Sequence, residues 1–194
     1  VTTIALFHSV YGLRGVEIDA ARRLRALGHE VHSPDLYAGH TAPTIEAGFD
    51  LKDRIGWDTV VARANEALDD LPENTVLIGF SMGAGVIHDV LPARPGAAAV
   101  LLLHGLADVP VGARPNLPVQ LHIADPDIFA TPHQVAAWHR TARARAASVD
   151  LHTYPHAGHF YTDDTLPDHD ARATELTWQR VADFLRDLES TRNI

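Results

Sequence analysis

The 194-residue sequence contains no cysteine. That absence excludes a disulfide scaffold, a cysteine-ligated zinc or iron–sulfur site and a thiol nucleophile, and it fits the cytoplasm, the expected location. Long apolar runs are missing too, since nothing approaches the roughly 18 to 20 residues that span a bilayer. No basic stretch precedes a short hydrophobic segment with a cleavage site, so neither a membrane anchor nor a secretion signal is expected. Positive charge is scarce. The 16 Lys and Arg residues face 25 Asp and Glu, a formal net charge of −9, and Lys52 is the only lysine. A chain of that sign without a dense basic cluster is not expected to bind nucleic acid.

What the chain does contain is apolar material for a full core, 46% of its residues. No repeat, low-complexity tract or linker divides it, so a single domain over residues 1–194 is expected. Thr2 to His8 is a short β-rich run, and Leu13 to Leu27 carries apolar residues at helical spacing before Gly28, a natural helix stop. Glu30 to His32 reads as a second strand, stopped by Ser33-Pro34-Asp35. A long, poorly periodic stretch follows, and Trp57 to Leu71 then reads as a helix ending before Pro72. Thr75 to Phe80 is a continuous apolar run of the kind found in a parallel strand covered on both faces, and Gly83 to Leu91 looks helical. Ala97 to Leu103, Pro118 to Ile123 and Val149 to Tyr154 are strand candidates, with helices at Pro132 to Ala147 and Ala171 to Leu188. This alternation predicts an α/β protein with a mostly parallel sheet wrapped on both faces and functional loops at the carboxyl ends of the strands.

Gly79-Phe80-Ser81-Met82-Gly83 has the G-x-S-x-G form and falls between the most apolar strand and a helix, the context that gives the pattern meaning. A sharp strand-to-helix turn lifts the Ser81 hydroxyl above the sheet, and residues without side chains on either side let the neighbouring backbone approach. The positive end of the helix then faces any oxyanion that forms. Serine is a weak nucleophile and needs a histidine base held in one tautomer by a carboxylate. On such a fold these arrive in the order Ser, acid, His, each past a later strand. Asp125 and Asp127 follow the strand that starts at Pro118, and His156 and His159 follow the next one.

Pro34-Asp35-Leu36-Tyr37, the segment from Gly79 to Gly83, and Tyr154-Pro155 leading to Gly158-His159-Phe160 together resemble the dienelactone hydrolase family of α/β-hydrolases, over most of the chain. The resemblance implies an α/β-hydrolase fold with about six strands in the order 2-1-3-4-5-6. It selects His159, which stands before an aromatic, over His156, and Asp127, in Asp127-Ile128-Phe129, over Asp125. The oxyanion hole is expected from the backbone amides of Met82 and, by similarity of His8-Ser9-Val10-Tyr11-Gly12 to the family's first loop, Val10, with Ser9 and Tyr11 as neighbouring candidates.

Three departures limit what carries over. Well-known members use a cysteine nucleophile where this chain has Ser81, and a glutamate where it has Ser9. They also hold an anionic substrate with arginines, one of them shortly after the histidine, where this chain has Asp163 and Asp164. Those acids would repel a carboxylate, so dienelactone is not the expected substrate. The short connection from Leu103 to Leu117 leaves no room for a cap domain, and an open site walled by Tyr11, Tyr37, Phe129 and Phe160 is expected. The histidines at 152, 156 and 159 have ligand-like spacing, but Pro155 and Gly158 place them on a strand and loop, and no metal or other cofactor is expected. The expected function is cofactor-independent hydrolysis of small carboxylic esters or lactones. Acyl transfer or perhydrolysis through the same residues, and an inactive binding protein on the same fold, are the alternatives. Oligomeric state is not indicated.

Overall fold

The computed structural model describes residues 1–145 and 148–192. Six strands, β1 (Thr3–Phe7), β2 (Glu30–His32), β3 (Val76–Phe80), β4 (Ala99–Leu103), β5 (Pro118–Asp125) and β6 (Ser148–Pro155), form one sheet in the order β2-β1-β3-β4-β5-β6. Every neighbouring pair is parallel. This is the α/β-hydrolase order expected from the sequence.

Side chains alternate across each strand, so one strand feeds two cores. Ile4 and Leu6 of β1, with Ile78 and Phe80 of β3 and Leu101 and Leu103 of β4, pack under α1 (Gly15–Ala26) and α6 (Ala171–Arg192). Phe7, Leu77, Val100 and Leu102 turn to the other face, covered by α2 (Ile45–Ile55), α3 (Trp57–Asp69), α4 (Met82–Val90) and α5 (Pro132–Ala144). β3 and β4 are buried at every residue, which is why they read as unbroken apolar runs. No helix interrupts residues 104–117, so there is no cap over the carboxyl ends of the strands. Among the described residues, no helix is long and apolar enough to cross a membrane.

The stretch without clear period holds α2. Thr44 caps it, its Oγ1 accepting from the Ala47 amide at 3.2 Å, and only Gly48 and Leu51 are fully buried, so the helical stripe is thin. Gly48 is part of the reason. A Cβ there would lie 2.7 Å from the Val10 carbonyl, so the helix presses against the loop after β1 at a position that has no apolar side chain to advertise it. The helix expected to begin at Gly83 starts one residue earlier and gives way to a short 3₁₀ turn at Leu91–Ala93. The helix expected to reach Ala147 is seen to Ala144, and its last expected turn falls on residues 146–147, outside the described residues.

Candidate active site

Ser81 sits between β3 and α4 with φ 50° and ψ −103°, a conformation that L residues adopt only under constraint. Its amide donates to the Leu103 carbonyl at 2.7 Å. A Cβ on Gly79 would run into the Gly83 carbonyl, and one on Gly83 into the Phe7 carbonyl, so the two glycines of the motif are required by backbone contact on both sides of the turn.

Past β5 and β6 the chain delivers the other two groups. Ser81 Oγ lies 2.9 Å from His159 Nε2, and His159 Nδ1 lies 2.7 Å from Asp127 Oδ2. Asp127 Oδ1 accepts from the amides of Phe129 and Ala130 at 2.8 and 3.1 Å, which fixes the carboxylate. Asp127 and His159 are both buried. With the carboxylate accepting, Nδ1 carries the proton and Nε2 is free to accept from the serine. Asp125 and His156 instead meet at the strand ends, where the His156 amide donates to the Asp125 carbonyl at 3.0 Å.

The Met82 amide opens α4 and has no helical carbonyl to bond, and Val10 lines the same cavity as Ser81. The Ser9 amide is already used, donating to Glu17 Oε1 at 3.2 Å. Glu17 also accepts from Ser9 Oγ and the Arg14 amide, and burial pushes its carboxyl above the usual range. His8 fixes the same loop from behind. Its Nδ1 donates to the Ser9 carbonyl at 2.7 Å while Nε2 accepts from the Leu36 amide at 3.1 Å, and burial lowers its pKa, so the ring is held neutral. The Pro34 to Tyr37 segment is thereby tied to the loop after β1.

A cavity of about 500 Å³ opens over Ser81 and His159. Of the four expected aromatic walls, Phe129 lines it and the other three do not. Tyr37 is fully buried with its hydroxyl donating to Met82 Sδ at 3.0 Å, and Tyr11 and Phe160 pack edge to face at 5.4 Å within a small core beside Val10. Their places are taken by Phe49 and Lys52 of α2 and Trp57 of α3, with Leu106 and Gln134. None of these was read as a cavity wall in the sequence, and for Phe49 and Lys52 the reason is that α2 itself was not read as a helix. The acids after the histidine do not face the cavity. Asp163 is buried in an ion pair with Arg14 at 2.5 Å, and Asp164 lines a separate hollow beside α1 and α6. Among the described residues, the one charged side chain in the cavity wall is Lys52, so the expected repulsion of anions has no source there. Of the residues with ligand-like spacing, His152 packs on His122 at 5.0 Å, and His122 in turn bonds Tyr154 and Gln120, both at 2.8 Å.

Comparison with known proteins agrees with this architecture. The family model of the dienelactone hydrolase family matches residues 1–188. A dienelactone hydrolase-like promiscuous phosphotriesterase from metagenomic libraries superposes with a TM-score of 0.78 at 20% identity, covering 97% of this chain and 87% of that one. A dienelactone hydrolase from Anabaena variabilis gives 0.66 at 22% identity, covering 96% and 87%. A phospholipase/carboxylesterase from Dyadobacter fermentans gives 0.63 at 15%, covering 92% and 88%. No curated protein sequence matches. With the fold order, the strained serine turn and a family match over nearly the whole length in agreement, the chain belongs to the dienelactone hydrolase family of hydrolases.

Proposed function

We propose that the protein is a serine hydrolase that cleaves small carboxylic esters or lactones through an acyl-enzyme. The observation that carries the reading is the unbroken hydrogen-bonded line from Ser81 Oγ through His159 to Asp127, at 2.9 and 2.7 Å, at the foot of an open cavity. Ser81 Oγ attacks the carbonyl carbon as its proton passes to His159 Nε2, and the imidazolium is stabilised by Asp127. The oxyanion is received by the amides of Met82 and Val10. His159 then gives its proton to the departing alcohol, or to the ring oxygen of a lactone, leaving Ser81 acylated. Water enters, loses a proton to His159 and attacks the acyl carbon, and the return of that proton to Ser81 releases the acid. Among the described residues no charged group other than Lys52 stands in the wall, and Phe49, Trp57, Leu106 and Phe129 offer an apolar surface to the acyl or alcohol part.

Incubation with a fluorophosphonate and mass analysis of the peptides tests the reading. One adduct on Ser81, lost in Ser81→Ala and His159→Ala, is expected. A folded, unlabelled wild type would point to a binding protein instead.

A further inference from the structure

His104 combines three unusual properties in one residue. It directly follows β4 with φ 63°, a left-handed conformation uncommon outside glycine. Its ring is almost fully buried, and burial with His159 and His122 nearby keeps its pKa well below the ordinary value. Its Nδ1 is buried without a hydrogen-bond partner, a cost that persists in native structures for a reason. The side chain borders the cavity that contains Ser81 and His159.

The surroundings of the ring are also particular. His104 Nε2 lies 2.7 Å from Thr162 Oγ1. Its centroid is 4.8 Å from that of Tyr161, and 6.0 Å from those of Phe160 and His159. Four consecutive residues of the loop after β6, His159 to Thr162, therefore contact one imidazole rooted at the end of β4. That root is stiff. The His104 amide donates to the His122 carbonyl at 2.9 Å, continuing the ladder between β4 and β5, and the preceding residue, Leu103, accepts from Ser81. The nucleophile and the base are thus referred to the same strand end, Ser81 through its backbone and His159 through the His104 ring.

We infer that His104 is a positioning residue that sets where His159 stands over Ser81, acting through its bond to Thr162 and its ring contacts. The hydrogen bond, rather than bulk alone, is what an apolar ring could not supply. With Nε2–H donating to Thr162, Nδ1 is left as a bare acceptor, a smaller burden than a stranded N–H. The inference rests on the triad reading above, and its test includes a readout that does not depend on turnover.

Three variants separate the roles. His104→Asn tolerates the left-handed backbone but is too short to reach Thr162, His104→Gln places its amide where Nε2 lies, and Thr162→Val removes the hydroxyl at nearly constant shape. Measured with p-nitrophenyl acetate, His104→Asn and Thr162→Val are each expected to lower kcat by about tenfold to a hundredfold with KM nearly constant, since small misplacement of a catalytic group is costly. The double variant should be no worse than either alone. His104→Gln should recover to within about fivefold of wild type. By proton NMR, the low-field Nδ1 proton of His159 against Asp127 should shift or broaden in His104→Asn and Thr162→Val and return in His104→Gln. That signal reports on His159 even if the wild type proves not to hydrolyse esters. If His104→Asn does not fold, Thr162→Val and His104→Gln decide. Multiplying losses in the double variant, glutamine no better than asparagine, or a His159 proton unmoved by Thr162→Val would overturn the inference.

Discussion

The two sides of the reactive cavity are built differently. One side, the turn at Ser81 and the loop after β1, is held by backbone: glycines in van der Waals conflict with any side chain, a serine at φ 50°, and a Ser9 peptide whose carbonyl accepts from buried His8 and whose amide donates to buried Glu17. The other side, formed by α2, the start of α3 and the segment after Asp127, is a wall of side chains, with Phe49 and Phe129 substantially exposed and only 5.9 Å apart. The first side fixes what chemistry is possible. On the proposed reading the second decides what is admitted to it, and its exposed side chains can change without disturbing the core.

Substitutions should separate the two sides. The largest effect is expected at His159 and Asp127, the side chains hydrogen-bonded in line to the backbone-held serine. His159→Ala should lower kcat/KM by several orders of magnitude with little loss of thermal stability, because base and nucleophile act as a unit. Asp127→Asn should cost about 10² to 10⁴-fold, through loss of the correct histidine tautomer. Asp125→Asn should change little, and equal losses at the two positions would show that the acid has been misassigned. On the side-chain wall, Phe129→Ala or Phe49→Ala should raise KM for esters with an apolar alcohol by about tenfold, the value of a partly buried aromatic contact, while fluorophosphonate labelling of Ser81 continues. Steady-state assays over a series of alcohols measure this.

Lys52 should give the smallest effect on rate. Its ammonium is paired with Asp53 at 2.6 Å and partly open to solvent, so screening limits its reach. Lys52→Ala should lower kcat/KM for a carboxylate-bearing ester relative to a neutral one by about two- to fivefold. No change in that ratio would remove Lys52 from substrate selection.

The buried histidines of the scaffold also bear on stability. Burial lowers the pKa of His8, His104 and His122, so the unfolded chain binds more protons than the native one once the pH falls below about 6.5. The stability they contribute is present above that pH and is lost as acid is added. Glu17, with its raised pKa, contributes in the opposite sense, and the three histidines outnumber it. Urea midpoints followed from pH 7.5 to 5.5 should fall, and His122→Gln should flatten the decline.

The same division explains what could be read from the sequence. The alternation of strands and helices and the turn at Ser81 were legible because backbone geometry demands particular residues there, glycines on either side of Ser81, whereas the strand order and the choice of Asp127 and His159 over Asp125 and His156 came from the resemblance to the family. The substrate wall was not legible. α2 shows only Gly48 and Leu51 fully to the core, so its period is faint, and Phe49 and Lys52 carry no local signature of facing a cavity. Tyr11 and Phe160 adjoin Val10 and His159 in sequence, yet they pack behind them, as Tyr37 does, because an aromatic beside a tight loop is as useful for core packing as for binding. The acids at 163 and 164 misled for a related reason: the pairing of Asp163 with Arg14, 149 residues away, has no local trace.

Trapping the covalent intermediate tests the central claim most directly. With p-nitrophenyl acetate as substrate, protein quenched in acid during turnover should carry the mass of one acetyl group, located on the peptide containing Ser81 and absent from Ser81→Ala. Turnover with the acetyl group on another residue, or undiminished turnover in Ser81→Ala, would contradict an acyl-enzyme built on this serine.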